Sequence, residues 1–321
     1  MFGISLNDSP KGVTVFRDGE PQMELAPDEL MELAQALQSY AVESADQLPE
    51  EPTRVIRFDD LEYRVHVSPY HQFWNSVDEG HWEPETFEVF DRYIDGDTVV
   101  LDIGAWIGPT SLYAAQKAKS IHAFEPDPAA FEVLEKNLQA NADQEWKNRL
   151  RLHPIAVSPS KGTCRMGSRH EAGDSMSSTL LADSAGAWMA EANTLQGLIA
   201  ELQLEDEHLF VKMDIEGGEY KLLPAIRSVI DSQPCVLCIS FHPGFLMEKL
   251  SRTINGFLPR LRRRIIFCWQ HWRVVRSLSS AQLTYFNGRP FRARKELLKA
   301  FLSGEFPQGL IAQTRACRIG K

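Results

Sequence analysis

No run of about 18 apolar residues occurs in the 321-residue chain, so no membrane-spanning helix is expected. The start, MFGISLNDSP, lacks the basic residues and apolar stretch of an export signal, and Asn7-Asp8-Ser9, followed by Pro10, reads as a chance match to a glycosylation acceptor. Cysteine is scarce: five residues, an odd number, which fits reduced thiols and a cytoplasmic protein better than a disulfide framework. Basic charge is in deficit. The formal net charge is −10, and a chain that grips nucleic-acid phosphates usually carries a basic face, so no nucleic-acid partner is expected. The exception is local: Arg260, Arg262, Arg263 and Arg264, with Arg273 and Arg276 soon after, read either as a solvated helix face with strand flanks or as a site for an anionic group. No repeat or low-complexity segment is visible. A hydrophobic fraction of 43% and a charged fraction of 24% are those of an ordinary globular protein.

Residues 1–80 read as a small α+β appendage, and residues 81–321 as the main domain. In the appendage, Val13–Phe16 and Met23–Leu25 flank Asp18-Gly19, a hairpin signal. Pro27-Asp28 opens a helix whose Leu30, Leu33, Leu37 and Tyr40 share a face. An acidic, proline-containing loop spans 43–53, and a second hairpin runs from Val55 to Val67 around Asp59-Asp60. From about residue 82 strands and helices alternate, the pattern of a parallel sheet covered on both faces. Strands are expected at 98–101, 121–124, 150–157, 209–213 and 235–241, with two more near Trp272–Val275 and Leu310–Thr314. Helices are expected at 109–119, after the Asp127-Pro128 cap, at 194–202 and at 220–230.

The most informative segment, Asp102-Ile103-Gly104-Ala105-Trp106-Ile107-Gly108-Pro109-Thr110, joins a buried strand to a helix. Glycines in such a turn let the backbone approach a ligand. Glu125 ends the next strand about 20 residues on, where a carboxylate can accept both ribose hydroxyls of a nucleoside. A dinucleotide site wants Gly-x-Gly-x-x-Gly and a pyrophosphate at the helix N-terminus. Here Trp106 fills the position of a glycine, and Asp102 disfavours phosphate and favours a cation such as the amino group of S-adenosylmethionine.

Three ordered motifs carry a family resemblance. Val99 to Ala105 with Gly108, then Ala123-Phe124-Glu125-Pro126-Asp127-Pro128, then Val211-Lys212-Met213-Asp214-Ile215-Glu216-Gly217-Gly218-Glu219 resemble the FkbM-type methyltransferases. Trp82-Glu83-Pro84-Glu85 resembles the family too, and the likeness covers roughly 82–240. It implies an α/β protein with the seven-stranded, Rossmann-like class I methyltransferase sheet. It implies S-adenosylmethionine as cofactor and O-methylation of a sugar, glycan, or glycosylated or polyketide natural product. By the same resemblance, Asp102 and the turn Gly104, Ala105, Trp106 and Gly108 hold the methionine portion. Glu125, beside Pro126, holds the ribose, and Ala156 meets the adenine edge. Glu83 either reaches the cofactor's amino group or is a helix N-terminal carboxylate. Ser177 and Ser178 either lie near the site or belong to a surface loop.

Ligands bind beyond the carboxyl ends of the strands in this architecture. Asp214, Glu216 and Glu219 follow the fourth strand, with Lys212 on the same side as Asp214 by strand alternation, and His242 follows the fifth. His242 has the unperturbed pKa of a base, about 6.5, and Asp214 the better position. The two with Glu216 form either a metal-free base site, the reading preferred here because Ser240 supplies no further carboxylate, or a divalent-cation site. Cys235 and Cys238, three apart in a strand, point to opposite faces and read as core thiols. Trp74 and Trp82 are expected to line the substrate entrance, and Trp269 and Trp272 either to pack in the core, the default, or to form a sugar-stacking platform. An NAD-dependent oxidoreductase and a non-catalytic methyltransferase-like binding module are the rival functions. If Glu125 holds the ribose alone, Glu125→Ala is expected to weaken cofactor binding by about tenfold or more and leave the thermal midpoint unmoved.

Overall fold

Runs rich in aliphatic and β-branched residues lie side by side in the computed structural model, which describes residues 2–6, 13–17, 20–25, 53–58, 60–168, 187–255 and 258–314. The chain divides into two units at Pro52/Thr53. In the first, β1 (Phe2–Leu6), β2 (Val13–Arg17) and β3 (Glu20–Leu25) form an antiparallel sheet, with the expected hairpin between β2 and β3. The helix expected from Pro27-Asp28 to Tyr40 lies outside the described residues.

The second unit begins earlier than residue 81. The hairpin β4 (Thr53–Phe58) and β5 (Leu61–His66) belongs to it, as do α1 (His71–Asp78) and α2 (Pro84–Tyr93). Ile56, Tyr63, Val65 and Trp74 are all fully or almost fully buried in one cluster with Val100, Leu112 and Ile121. The sequence pattern changes near residue 82, but the apolar faces of the hairpin and of α1 have already found the main core by then.

Seven strands form the central sheet, in the order β14-β15-β13-β12-β6-β7-β8. The parallel centre is β6 (Thr98–Ile103), β7 (Ser120–Phe124), β8 (Leu150–His153), β12 (His208–Met213) and β13 (Cys235–Ser240). β15 (Gly309–Gln313) runs antiparallel to β13, and β14 (Gln282–Thr284) pairs with β15. This mixed α/β arrangement resembles the class I methyltransferase fold. Every residue of β6 is buried, as a strand covered on both faces requires. Cys235 and Cys238 are buried free thiols.

Helices cover both faces. α3 (Pro109–Ala115) follows β6, and α4 (Pro128–Gln139) follows β7. Asp127 caps α4 through Oδ1, accepting from Ala129 N at 2.9 Å and Ala130 N at 3.4 Å, and the Glu132–Lys136 pair closes at 3.1 Å on its outside. Thr194 caps α5 (Leu195–Glu201) in the same way.

Three expectations need correction. The third strand is not continuous from 150 to 157. Pro154 has no N–H for a ladder, so β8 stops at His153, and Ala156–Val157 (β9) joins β10 (Gly162–Met166) and β11 (Trp188–Asn193) in a separate three-stranded sheet. The helix expected over 220–230 is two, α6 (Glu219–Ala225) with Pro224 inside it and α7 (Arg227–Ser232). Trp272–Val275 is not a strand: α8 (Pro243–Thr253) leads to the 19-residue α9 (Pro259–Ser277), which buries Phe267, His271 and Val274. That spacing of four and three is the inner face of a helix. Tyr220 Oη and His271 Nε2, 2.8 Å apart, tie α9 to α6. α10 (Ala293–Ser303) then packs on α9 and leads to β15.

Candidate active site

The turn after β6 folds as it does because two of its positions tolerate no side chain. Gly104 has φ +81°, and a Cβ there would lie 2.0 Å from the carbonyl oxygen of Asp214. Gly108 has φ +92°, and a Cβ there would meet Leu134 Cδ1 at 2.5 Å. The ends of β6 and β12 can approach only because residue 104 is glycine. Trp106 also adopts a left-handed conformation, φ 50°, without being glycine.

Glu125 stabilises that turn. Its Oε2 accepts from Trp106 N and its Oε1 from Asp127 N, both at 2.8 Å, and the residue is 5% exposed. Burial pushes its carboxyl up to about 7 against the pull of those two N–H donors. The carboxylate expected to serve the ribose is therefore already holding two backbone donors. Glu125→Ala should do more than weaken cofactor binding: it strands both N–H groups, at about 1–3 kcal/mol each, so the thermal midpoint should fall as well. A thermal scan and a cofactor titration of the variant check this, and an unmoved midpoint would contradict it. Because the folded-state pKa is raised, this group's stabilisation is full below its ordinary value of 4.5 and is lost as pH rises through about 7.

Two cavities meet at Gly104. The first, about 270 Å³, is largely apolar and is lined by Phe124, Pro126, Ala156, Val157, Met166 and Ile215, among others. The second, about 160 Å³, is polar. Ala105, Trp106, Glu83, Asp214, Glu216 and His242 line it, with Phe73, Trp82, Lys212 and the start of α3. A third and larger cleft, about 560 Å³, shares Glu83 and His242 with the polar cavity and extends to Phe245, Tyr285, Asn287 and Gln308.

Beneath the polar cavity lies a buried charge relay. Asp102, 1% exposed, accepts at Oδ2 from Thr110 Oγ1 at 2.9 Å and Ser111 Oγ at 2.6 Å. Lys212 Nζ lies 3.3 Å from Asp102 Oδ1 and 3.7 Å from Asp214 Oδ2, and donates to Gly104 O at 3.3 Å. Burial alone would lower the ammonium, but Asp102, Asp214 and Glu83 reverse this and hold it above the ordinary lysine value. Neither Asp102 nor Glu125 is among the residues lining these two cavities. Gly108 is a packing position against Leu134.

His242 sits among three carboxylates. Its Nδ1 lies 3.1 Å from Glu219 Oε1, and its Nε2 lies 3.4 Å from Asp214 Oδ1 and 3.5 Å from Glu216 Oε2. Burial would lower its pKa, but Glu219, Asp214 and Glu216 outweigh burial and push it up to about 9. Glu219 is fully buried and also accepts from Ile215 N at 3.1 Å, so it fixes both the loop after β12 and the imidazole. One atom each from Asp214, Glu216 and His242 lie within 4.8 Å of one another, a spacing that one divalent cation could also bridge. Burial and Asp214 push the Glu83 carboxyl up, partly offset by Lys212, by a hydrogen bond from Thr86 Oγ1 at 3.0 Å and by His242.

The structure thus brings together Glu83, Gly104, Ala105, Trp106, Lys212, Asp214, Glu216 and His242, with Pro126 and Ala156 in the adjoining apolar cavity. Trp82 lines the polar cavity. Trp74 does not: it is fully buried and packs edge-on to Tyr63 and Phe73, so it is a core residue. Ser177 and Ser178 lie outside the described residues. Phe73, Phe245, Tyr285, Asn287 and Gln308 went unread in the sequence, where no spacing signal connects these scattered polar and aromatic residues to the strand ends.

The donor set suits S-adenosylmethionine. An apolar slot for an adenine adjoins a polar cavity whose carboxylates match an ammonium and a sulfonium, and these same carboxylates oppose a pyrophosphate. Residues 102–264 match the model of the methyltransferase FkbM domain. A solved FkbM methyltransferase of Methylobacillus flagellatus is 15% identical, covering 86% of this chain and 60% of its own, with a TM-score of 0.40. A TehB-like S-adenosylmethionine-dependent methyltransferase of Corynebacterium glutamicum is 14% identical over 78% of this chain and 97% of its own, with a TM-score of 0.37. An uncharacterized curated protein of Methanocaldococcus jannaschii is 37% identical over 51 residues, 16% of this chain, and the chain spans 20% of that relative's length. The domain match runs from the end of β6 into α9, over half of the chain, and the chain belongs to the FkbM methyltransferase family.

Proposed function

We propose that the protein transfers a methyl group from S-adenosylmethionine to a hydroxyl of an uncharged acceptor: a sugar, a glycan, or a glycosylated or polyketide natural product. The observation that carries this reading is the chain of shared linings. Gly104 belongs to both the apolar and the polar cavity, and Glu83 and His242 belong to both the polar cavity and the large cleft. The catalytic unit on this reading is residues 53–321.

When bound, the cofactor supplies an electrophilic methyl on a sulfonium. Pro126 and Ala156 would flank its adenine, Glu125 would hold the ribose through the lone pairs its N–H donors leave free, and Glu83, Asp214 and the Gly104–Trp106 backbone would hold its methionine end. The acceptor enters by the large cleft, where Phe245 and Tyr285 offer faces for a sugar and Glu83, Asn287 and Gln308 offer hydrogen bonds. Among the described lining residues of that cleft there is no lysine or arginine; His242 is its cationic group. The acceptor's oxygen would take the methyl group, and the sulfur would leave as a neutral thioether. The hydroxyl proton passes to His242 Nε2. Glu219 keeps the other imidazole proton on Nδ1, so the neutral ring presents its lone pair at Nε2. Orientation contributes on the order of 7–11 kcal/mol.

The test is transfer of a labelled methyl group to a panel of polyhydroxyl acceptors. A base with a pKa raised to about 9 must lose its proton to act, so the rate should climb with pH and level off above about 9. His242→Ala should cost about 10²–10⁴-fold and flatten the profile. A chelator should have no effect. Inhibition by EDTA that magnesium or manganese reverses would instead assign Asp214, Glu216 and His242 to a cation.

A further inference from the structure

The outer face of α9 is not accounted for by any of this. Leu261, Ile265, Trp269 and Trp272 recur at spacings of four, four and three, and so form one stripe along the helix, opposite the buried Phe267, His271 and Val274. Each member of the stripe is between 43% and 50% exposed. Leu298 and Leu302 of the neighbouring α10 are each 59% exposed. Arg262 and Arg273 flank the stripe on one side and Arg264 on the other. The guanidinium of Arg273 stands 4.8 Å from the centroid of Trp269, and that of Arg276 stands 5.2 Å from the centroid of Trp272. The helix contains no acidic residue, although the chain as a whole carries −10.

We infer that this face docks on an anionic lipid bilayer, with α9 lying in the interface rather than crossing it. No helix among the described residues is long and apolar enough to cross. The chemistry of this face matches an interfacial helix: aliphatic and tryptophan side chains reach the acyl boundary, and arginines on both flanks reach lipid phosphates. A second copy of the chain fits poorly, because a two-fold contact through this face would set arginines against arginines. A nucleic-acid backbone would satisfy the arginines but gives a leucine and isoleucine stripe nothing to bury against. Docking would hold the enzyme at a membrane surface, where its acceptor cleft meets lipid-linked or membrane-partitioned hydroxyl compounds.

The experiment is sedimentation of the full-length protein with phosphatidylcholine vesicles, with and without phosphatidylglycerol. Binding is expected only with the anionic lipid, with a blue shift of tryptophan fluorescence, and should weaken as salt is raised. The Trp269→Ala, Trp272→Ala double variant should bind these vesicles about tenfold less tightly or worse. Its thermal midpoint and its S-adenosylhomocysteine affinity should match the wild type, since neither residue lies in the active site. Failure of the wild type to bind anionic vesicles would overturn the inference, as would equal binding by the double variant. A salt-insensitive dimer that the double variant breaks, or saturable binding of single-stranded DNA in place of vesicles, would overturn it in favour of those occupants. Methyl transfer to a soluble acceptor is unaffected by any of these outcomes, so the docking surface and the active site stand or fall separately.

Discussion

Lys212→Met is expected to cost about 3–5 kcal/mol of folding stability, more than the other side-chain truncations considered for this site. Lys212 is 4% exposed, and its ammonium lies 3.3 Å from Asp102 Oδ1 and 3.7 Å from Asp214 Oδ2. Removing it leaves the Asp102 carboxylate in the core with only Thr110 and Ser111 as donors. The cost is that of an uncompensated buried charge, not of one hydrogen bond. Adding Asp102→Asn to Lys212→Met should therefore restore part of the loss, because an amide needs no counter-ion. Denaturant midpoints of the wild type and of the single and double variants provide the measurement. A single-variant loss below about 1 kcal/mol, or a double variant no better than the single, would show that the pair does not carry this weight.

Gly104→Ala is expected to abolish cofactor binding. The substitution places a methyl 2.0 Å from Asp214 O and 3.2 Å from Ile215 Cγ2, at a φ of +81° that itself costs about 1–2 kcal/mol for a residue with a Cβ. The overlap is with backbone, so no side chain can swing aside. The ends of β6 and β12 must separate. Gly104 N donates to Phe124 O, Gly104 O accepts from Lys212, and Asp214 N donates to Ile103 O, so separation disturbs all three. Both cavities are built on that junction. Methyl transfer should fall by more than about 10³-fold, which corresponds to roughly 4 kcal/mol in the barrier. Gly96→Ala is the companion variant: nothing lies within 4 Å of its Cβ position, and it should behave as wild type. Retained transfer in Gly104→Ala would mean that the turn is not the cofactor's cradle.

Much of the framework was legible because it is local. The strands at 98–103, 120–124, 208–213 and 235–240 announce themselves as short aliphatic runs. The turn between β6 and α3 announces itself by Gly104, Gly108 and Pro109. Asp127-Pro128 marks a helix start by chemistry that the structure repeats atom for atom. The failures are where tertiary packing overrides a local pattern. Trp272-Arg273-Val274-Val275 has the composition of a strand, yet Val274 is the last of three inward-facing residues on a helix whose first two, Phe267 and His271, lie upstream. Trp74 stands in what reads as a linker, yet it anchors the hairpin to the core through Tyr63. Asp102 reads as a ligand because its neighbours are a glycine turn. The sheet register, which sets it beside Lys212, adds a buried ion pair that the sequence alone does not show. The large cleft was not legible at all, since Tyr285 and Gln308 reach it from segments that carry no spacing signal of their own.

The central claim is that one S-adenosylmethionine molecule occupies the two cavities joined at Gly104. Calorimetric titration of the wild-type protein with S-adenosylhomocysteine, and in parallel with NADH, tests it most directly. One site per chain for S-adenosylhomocysteine, none for NADH, and loss of the S-adenosylhomocysteine signal in a folded Gly104→Ala variant are predicted. No heat of binding with S-adenosylhomocysteine, or saturable binding of NADH that Gly104→Ala removes, would contradict the account.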